Sequence, residues 1–373
     1  MSHAKRKIAF IGHPLNMTAL SVMTGFPRAI MDVVGKNRIK TLLMKCRPFV
    51  FARQRHMVSR AGAVIDFMAI ACPYLPEQLV AVGEEKALRV VLSCVELAER
   101  EGADLVCLGG FTSVVGNEGE EISKRSRIAV TSGNTYTAGL AVEGVVKAAE
   151  TLGVGMSKSK LAIVGASGDI GSACVRMLAD KFGEVALVAR DRKKLTDLVK
   201  AEFGGPGRMT VYERVKDAVT GADMIITATS ALTTIIDSYS LKQGSVVCDV
   251  ALPANIAKEI SRLRKDVFAF EGGLAKFYSG RLVTNRKCQS LMPSGSMYGC
   301  VAEGLILGFS GKIENYSIGR GRITNFKIHE IMQLAEEHGF CLADYFCGDR
   351  YYSGSDIRFI QQRIQAPSMS EVA

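Results

Sequence analysis

Two kinds of residue in this chain could do chemistry. The first is the run Lys160-Leu-Ala-Ile-Val-Gly165-Ala-Ser-Gly168-Asp-Ile-Gly171. Three glycines at this spacing, after an apolar run and before helical periodicity, suit a pyrophosphate: the first allows the turn, the second lets backbone approach phosphate, the third lets helix pack on strand. Gly165, Ser167, Gly168, Asp169 and Ile170 would then line the phosphates, at the positive end of a helix. An ordinary strand–turn–helix is the alternative. The second is Cys300, which follows the Ser/Gly-rich stretch Pro293–Gly299 and opens the apolar run Val301–Phe309. A thiol at a helix N-terminus has its pKa lowered by the dipole, which raises its thiolate fraction. Such a thiolate attacks thioester carbonyls, and a neighbouring reduced nicotinamide could then reduce the enzyme-bound acyl group to an aldehyde. Packing is the alternative for Cys300, and Cys288 is the second candidate thiol. No Cys–His pair is evident among the five histidines.

Cofactor preference is read from the next strand. Glu184–Arg190 ends in Arg190 and is followed by Asp191, Arg192, Lys193 and Lys194. NAD sites place an acidic side chain here for the ribose diol, whereas a guanidinium grips a 2′-phosphate. Arg190 and Arg192 therefore favour NADPH, with Asp191 as the counter-argument. Thr229, in the loop after the fourth strand of this region, is expected near the nicotinamide or else to serve a polar turn.

Several elements must position these residues. Strands are expected at Lys7–Gly12, Ala63–Ala71, Asp104–Leu108 and Ile128–Thr131, a long helix over Pro76–Glu101, and another over Thr137–Leu152. The later apolar runs Met209–Tyr212, Ala222–Ala228, Ser245–Val250 and Val267–Phe270 alternate with helical stretches. That alternation implies a parallel sheet covered on both faces. The fold class is thus α/β: two α/β domains, the second a Rossmann-type doubly wound sheet, with C-terminal helices folding back. The expected domains are 1–152, 153–287 and a helical segment 288–373, whose tail beyond Tyr351 is expected to be at most partly ordered.

Composition sets bounds. The 373 residues are 48% hydrophobic, ample for two cores, and the ten cysteines lack metal-type C-x-x-C spacing. No metal is expected, and Cys94, Cys107, Cys174 and Cys248 read as buried packing residues. No apolar run is long enough to span a bilayer, and the N-terminus lacks a signal-peptide core, so a cytoplasmic protein is expected. The net charge of +10 favours an acidic partner or substrate. The basic residues carry no groove-reading motif, so nucleic acid is not expected.

With these residues in place, the chain resembles the long-chain acyl-[acyl-carrier-protein] reductases best known from cyanobacteria. The resemblance runs from about Ile8 to Phe340. It is carried by Ile11-Gly-His13, Leu75-Pro-Glu77, Leu108-Gly-Gly-Phe-Thr-Ser113, Gly133-Asn-Thr135, the glycine loop, Gly272-Gly273, Cys300 with Ala302-Glu303, Gly319-Arg320, Ile323-Thr324 and His338-Gly-Phe340. It implies that Cys300 carries the acyl group, that the glycine loop binds NADPH, and that a fatty acyl thioester leaves as a fatty aldehyde. His13, Ser113, Asn134 and Thr135 fall in matching blocks. They would line the substrate cleft or, alternatively, cap turns. The acyl chain is expected in an apolar channel between the domains. Candidate partners are acyl carrier protein or acyl-CoA as donor, an enzyme that consumes the aldehyde, and further copies of the chain as a homo-oligomer. The chain departs from the family at Tyr136, where a histidine is common, and in Phe277–Ser296. The domain arrangement also resembles shikimate dehydrogenases, which offers a polyol dehydrogenase as the rival reading.

Overall fold

The computed structural model describes residues 5–230, 236–251, 255–278, 295–348 and 350–365. The chain forms two compact units. Unit 1 comprises Met1–Tyr136, Ala275–Arg322 and His329–Cys341; unit 2 comprises Thr137–Leu274, Ile323–Ile328 and Leu342–Ala373. The expected boundaries differ from this division. The Asn134–Leu152 helix falls almost wholly in unit 2, and the stretch after 275 is shared between the units instead of standing apart.

Unit 1 is built on a five-stranded sheet. Its strands are β1 (Arg6–Gly12), β2 (Phe49–Val58), β3 (Val64–Ala71), β4 (Leu105–Leu108) and β5 (Ala129–Thr131), in the order β2-β3-β1-β4-β5. All run parallel except β2, which pairs antiparallel with β3. The parallel strands read as near-continuous apolar runs because both faces are covered. One face takes the Glu84–Arg100 helix, whose Val91, Cys94, Val95 and Ala98 are buried. The other takes the Gly299–Ser310 helix, buried over nearly its whole length. Gly304 and Gly308 let that helix lie close: an added Cβ would come 2.9 Å from Cys107 Cβ and 2.5 Å from Ile8 Cγ1.

Unit 2 holds β6 (Lys160–Val164), β7 (Glu184–Val188), β8 (Met209–Tyr212), β9 (Met224–Thr227), β10 (Val246–Asp249) and β11 (Phe268–Glu271). They form one parallel sheet in the order β11-β10-β9-β6-β7-β8. This is the doubly wound order of a dinucleotide fold, with its switch point between β6 and β9. The α/β architecture and the second, Rossmann-type sheet are as expected.

Three local readings are corrected. The single helix over Pro76–Glu101 is two, Pro76–Ala81 and Glu84–Arg100, because Gly83 adopts φ +80° between them. The β2 strand has no counterpart among the expected strands. The tail also contains a twelve-residue helix, Gly354–Gln365. Its Ile360 is fully buried in the core of unit 2, with Ile357 and Ile364 packed beside it.

Candidate active site

The four parallel strands of unit 1 end along one edge, and the candidate side chains follow those ends. Register aligns Gly12 with Ala71, Ile11 with Leu108 and Cys107 with Thr131. His13 follows β1, the tight turn Gly110–Ser113 follows β4, and Gly133, Asn134 and Thr135 follow β5.

Cys300 stands at this edge, in the first turn of its helix, and is only 8% exposed. Two glycines make its place. Gly133 has φ +75°, and a Cβ there would lie 2.3 Å from the Cys300 Cα and Cβ, so no other residue fits. Gly110 has φ +58°, and its absent side chain would strike His13 Nε2 at 2.6 Å. The nearby backbone N–H groups of Gly110 and Val301 favour the thiolate of Cys300. Burial opposes them and wins: it pushes the thiol up to about 12. A helix terminus contributes at most about 2 kcal/mol even when partly buried. A rise from 9 to about 12 corresponds to about 4 kcal/mol. The expected lowering of the Cys300 pKa by the helix is thus corrected: in the free chain the residue is a protected thiol. Cys107 lies below it and donates its S–H to the Cys300 carbonyl at 2.7 Å.

His13 is a neutral imidazole. Burial lowers its pKa to about 4. Nε2 accepts the Phe111 N–H at 2.9 Å, so the proton resides on Nδ1, which faces the Pro14 carbonyl at 3.3 Å. Ser113 donates to the Gly110 carbonyl at 2.7 Å and so closes its own turn. Thr135 shares a 2.6 Å hydroxyl–hydroxyl hydrogen bond with Ser317.

The residue that ties this edge together is Glu303, which sequence reasoning did not single out as a site residue. It is fully buried, one turn after Cys300. Its Oε1 accepts from the hydroxyls of Thr131 and, at 2.6 Å, Ser317; its Oε2 accepts the Tyr136 N–H at 2.7 Å. Thr131 Oγ1 in turn accepts the Ser317 N–H at 3.2 Å. One carboxylate thus fixes both ends of the loop that presents Gly133 to Cys300. The available signal was an acid within the otherwise apolar Val301–Phe309.

In unit 2 the glycine loop has the shape its spacing implies. Gly165 has φ +87°, and a Cβ on it would lie 2.2 Å from the Ala228 carbonyl oxygen. A Cβ on Gly171 would lie 2.2 Å from the Gly165 carbonyl oxygen. The Asp169–Leu178 helix starts at Gly168 without a side-chain cap. Its first turn therefore suits a phosphate, and this cradle fits a dinucleotide. Ser167 and Ile170 are half-buried on the loop, Asp169 is buried, and Thr229 is half-buried past the end of β9. Arg190 is exposed past the end of β7 and forms no ion pair among the described residues. Arg192 is ion-paired to Glu213. Asp191 caps its helix, accepting the Lys194 N–H at 2.9 Å. Cys288 lies outside the described residues.

A long-chain acyl-[acyl-carrier-protein] reductase of Synechococcus elongatus is 32% identical to this chain over 295 residues, covering 76% of the chain and 84% of that protein. The chain belongs to the long-chain acyl-[acyl-carrier-protein] reductase family. As a member of that family it is an oxidoreductase. Residues 147–271 match the shikimate / quinate 5-dehydrogenase family model. A second relative, the aminotransferase PigE of a Serratia species, is 31% identical over 90% of this chain but only 39% of its own length. Among solved structures, quinate dehydrogenase from Corynebacterium glutamicum in complex with NAD covers 88% of this chain and 98% of its own, at 11% identity and a TM-score of 0.38. No described helix of this reductase is long and apolar enough to cross a membrane.

Proposed function

We propose that this reductase converts a long-chain fatty acyl thioester, carried by acyl carrier protein or CoA, to a fatty aldehyde with NADPH, through an acyl group held on Cys300. The observation that carries this reading is the seat of Cys300, in the first turn of its helix at the carboxyl edge of the unit 1 sheet, against Gly133 and with the N–H groups of Gly110 and Val301 nearby.

In the first half-reaction Cys300 Sγ attacks the thioester carbonyl, the carrier's C–S bond breaks, and the thiol proton leaves with the carrier sulfur. No proton is gained or lost overall, so a thiol that is protonated at rest is a competent reactant once it transfers its proton in step. The N–H donors of Gly110 and Val301 are placed to stabilise the charge that develops on sulfur or on the carbonyl oxygen. His13, held neutral, carries no charge into the site. Glu303 keeps Gly133 against Cys300 and so sets the direction from which the thiol is approached. NADPH, when bound, supplies hydride to the acyl carbon. Collapse of the C–S bond then releases the aldehyde and the Cys300 thiolate, which takes one proton from solvent to return as the thiol. The residues fitted to hold NADPH are Gly165, Ser167, Gly168, Asp169 and Ile170 for the phosphates, with Arg190 for the 2′-phosphate. Arg192, engaged with Glu213, is the weaker candidate.

The test is an intact mass after incubation with palmitoyl-CoA or palmitoyl-acyl carrier protein in the absence of NADPH. A palmitoyl adduct mapped to Cys300, discharged as hexadecanal on adding NADPH, is expected. An unmodified Cys300 with both donors, or oxidation of shikimate or quinate that is indifferent to Cys300→Ser, would overturn it.

A further inference from the structure

The carboxyl edge that carries Cys300 also carries a cationic surface. From Arg28 to Arg47 six side chains are basic (Arg28, Lys36, Arg38, Lys40, Lys45, Arg47) and one, Asp32, is acidic. They belong to the Arg28–Val34 and Lys36–Leu43 helices and the segment that leads into β2. Lys36, Arg38, Lys45 and Arg47 are exposed, and none forms an ion pair with a described residue. Exposed apolar side chains stand among them: Ile30, Leu42 and Val33, the last 88% exposed.

The place of this surface in unit 1 is set by register and by bonds. Phe49, two residues after Arg47, pairs with Ala71 at the carboxyl end of β3. The Lys40 carbonyl accepts the Gln78 side-chain amide at 2.9 Å, and the Lys40 ammonium pairs with Glu77 at 2.8 Å. The Glu77 carboxylate lies near the neutral His13 ring. His13 meets Phe111 and Gly110, and Gly110 meets Cys300. The cations and the thiol thus flank one edge of one sheet, linked by a short chain of contacts.

We infer that this surface docks the acidic acyl carrier protein that delivers the thioester to Cys300; the inference rests on the function proposed above. An acidic protein complements unpaired cations, and long-range attraction of this kind raises encounter rates and fixes orientation. A carrier bound here would deliver its arm at the edge where Cys300 sits. A bilayer fits less well. The Lys36–Leu43 helix spends its apolar side on the interior, with Leu43 buried and Ile39 packed against the cluster of Met17, Leu20 and Met31. That helix leaves only Leu42 outward, too little apolar surface to lie in a bilayer.

The experiment uses the full chain with R38E/K45E/R47E, and the milder R38Q/K45Q/R47Q as a second variant. Two substrates are compared: palmitoyl-acyl carrier protein and the neutral palmitoyl thioester of N-acetylcysteamine. In the reversal variant the KM for the carrier substrate should rise about tenfold or more, with a smaller rise in the neutralised variant. Turnover of the neutral thioester should stay unchanged in both. An unchanged KM for the carrier in both variants would overturn the docking surface. Binding of holo-carrier, measured by fluorescence anisotropy, decides the docking even where wild type reduces neither thioester; that last result would sink the functional reading alone. Loss of sedimentation with phosphatidylglycerol vesicles, at unchanged carrier affinity, would assign the surface to a membrane and overturn the inference.

Discussion

The thiol of Cys300 is held protonated by burial, not activated by its helix. Its alkylation by iodoacetamide in the free enzyme should therefore be slow at pH 7 and climb about tenfold per pH unit through pH 10. A plateau near neutrality would show that the N–H groups of Gly110 and Val301 outweigh burial. His13 makes an opposite kind of statement. Its pKa, lowered to about 4 by burial, means that the unfolded chain binds a proton here more readily than the folded one. The stability it supports is complete above about pH 6.5 and is lost as pH falls from there to about 4, by at most about 3 kcal/mol. Thermal denaturation between pH 7 and 4 should show that decline, and His13→Gln should flatten it. Gly133→Ala should be severe: the new Cβ meets Cys300 backbone at a left-handed φ. A loss of more than about 2 kcal/mol, read by denaturant midpoint, is expected.

Elements were legible where the signal was local. The strands and glycine turn of unit 2 follow from short apolar runs and turn chemistry, and the apolar helix from Val301 onward follows from its composition. β2 escaped because cations interrupt its alternation and its register with β3 shifts twice, between Val50 and Ala52 and between Gln54 and Met57. The last helix escaped because its three inward isoleucines are spread among polar residues. The site was legible as a set of loop blocks, but its organiser was not. Glu303 meets Thr131 and Tyr136 far back in the sequence, and no spacing rule connects them. Glu303→Gln would turn one acceptor into a donor facing donors. It should cost about 1–3 kcal/mol in a chemical melt and lower the rate of the proposed Cys300 acylation with the palmitoyl thioesters. Truncation after Ser353 removes the Gly354–Gln365 helix, uncovers the pocket of Ile360 and deletes the Gln361 bond to the Thr151 carbonyl at 2.9 Å. Its expected effect is weaker retention of a nicotinamide dinucleotide with a lower melting temperature.

At the scale of the whole molecule, the course of the chain matters most. Unit 1 is assembled from three separated segments, the last ending at Cys341. Its sheet is covered on one face by the Gly299–Ser310 helix, so a fragment ending at Tyr136 keeps all five strands yet leaves Ile8 and Cys107 without their cover. Such a fragment should aggregate, and adding residues 295–341 in trans should partly rescue it. The order of synthesis inherits this layout. While a ribosome makes the chain, the five strands emerge first, and one face stays bare until the thiol-bearing helix has cleared the exit tunnel. Over the long interval between the synthesis of β5 and that of this helix, the nascent reductase therefore carries an uncovered apolar face. Its yield in the cell should track chaperone capacity more closely than the stability of the finished fold suggests.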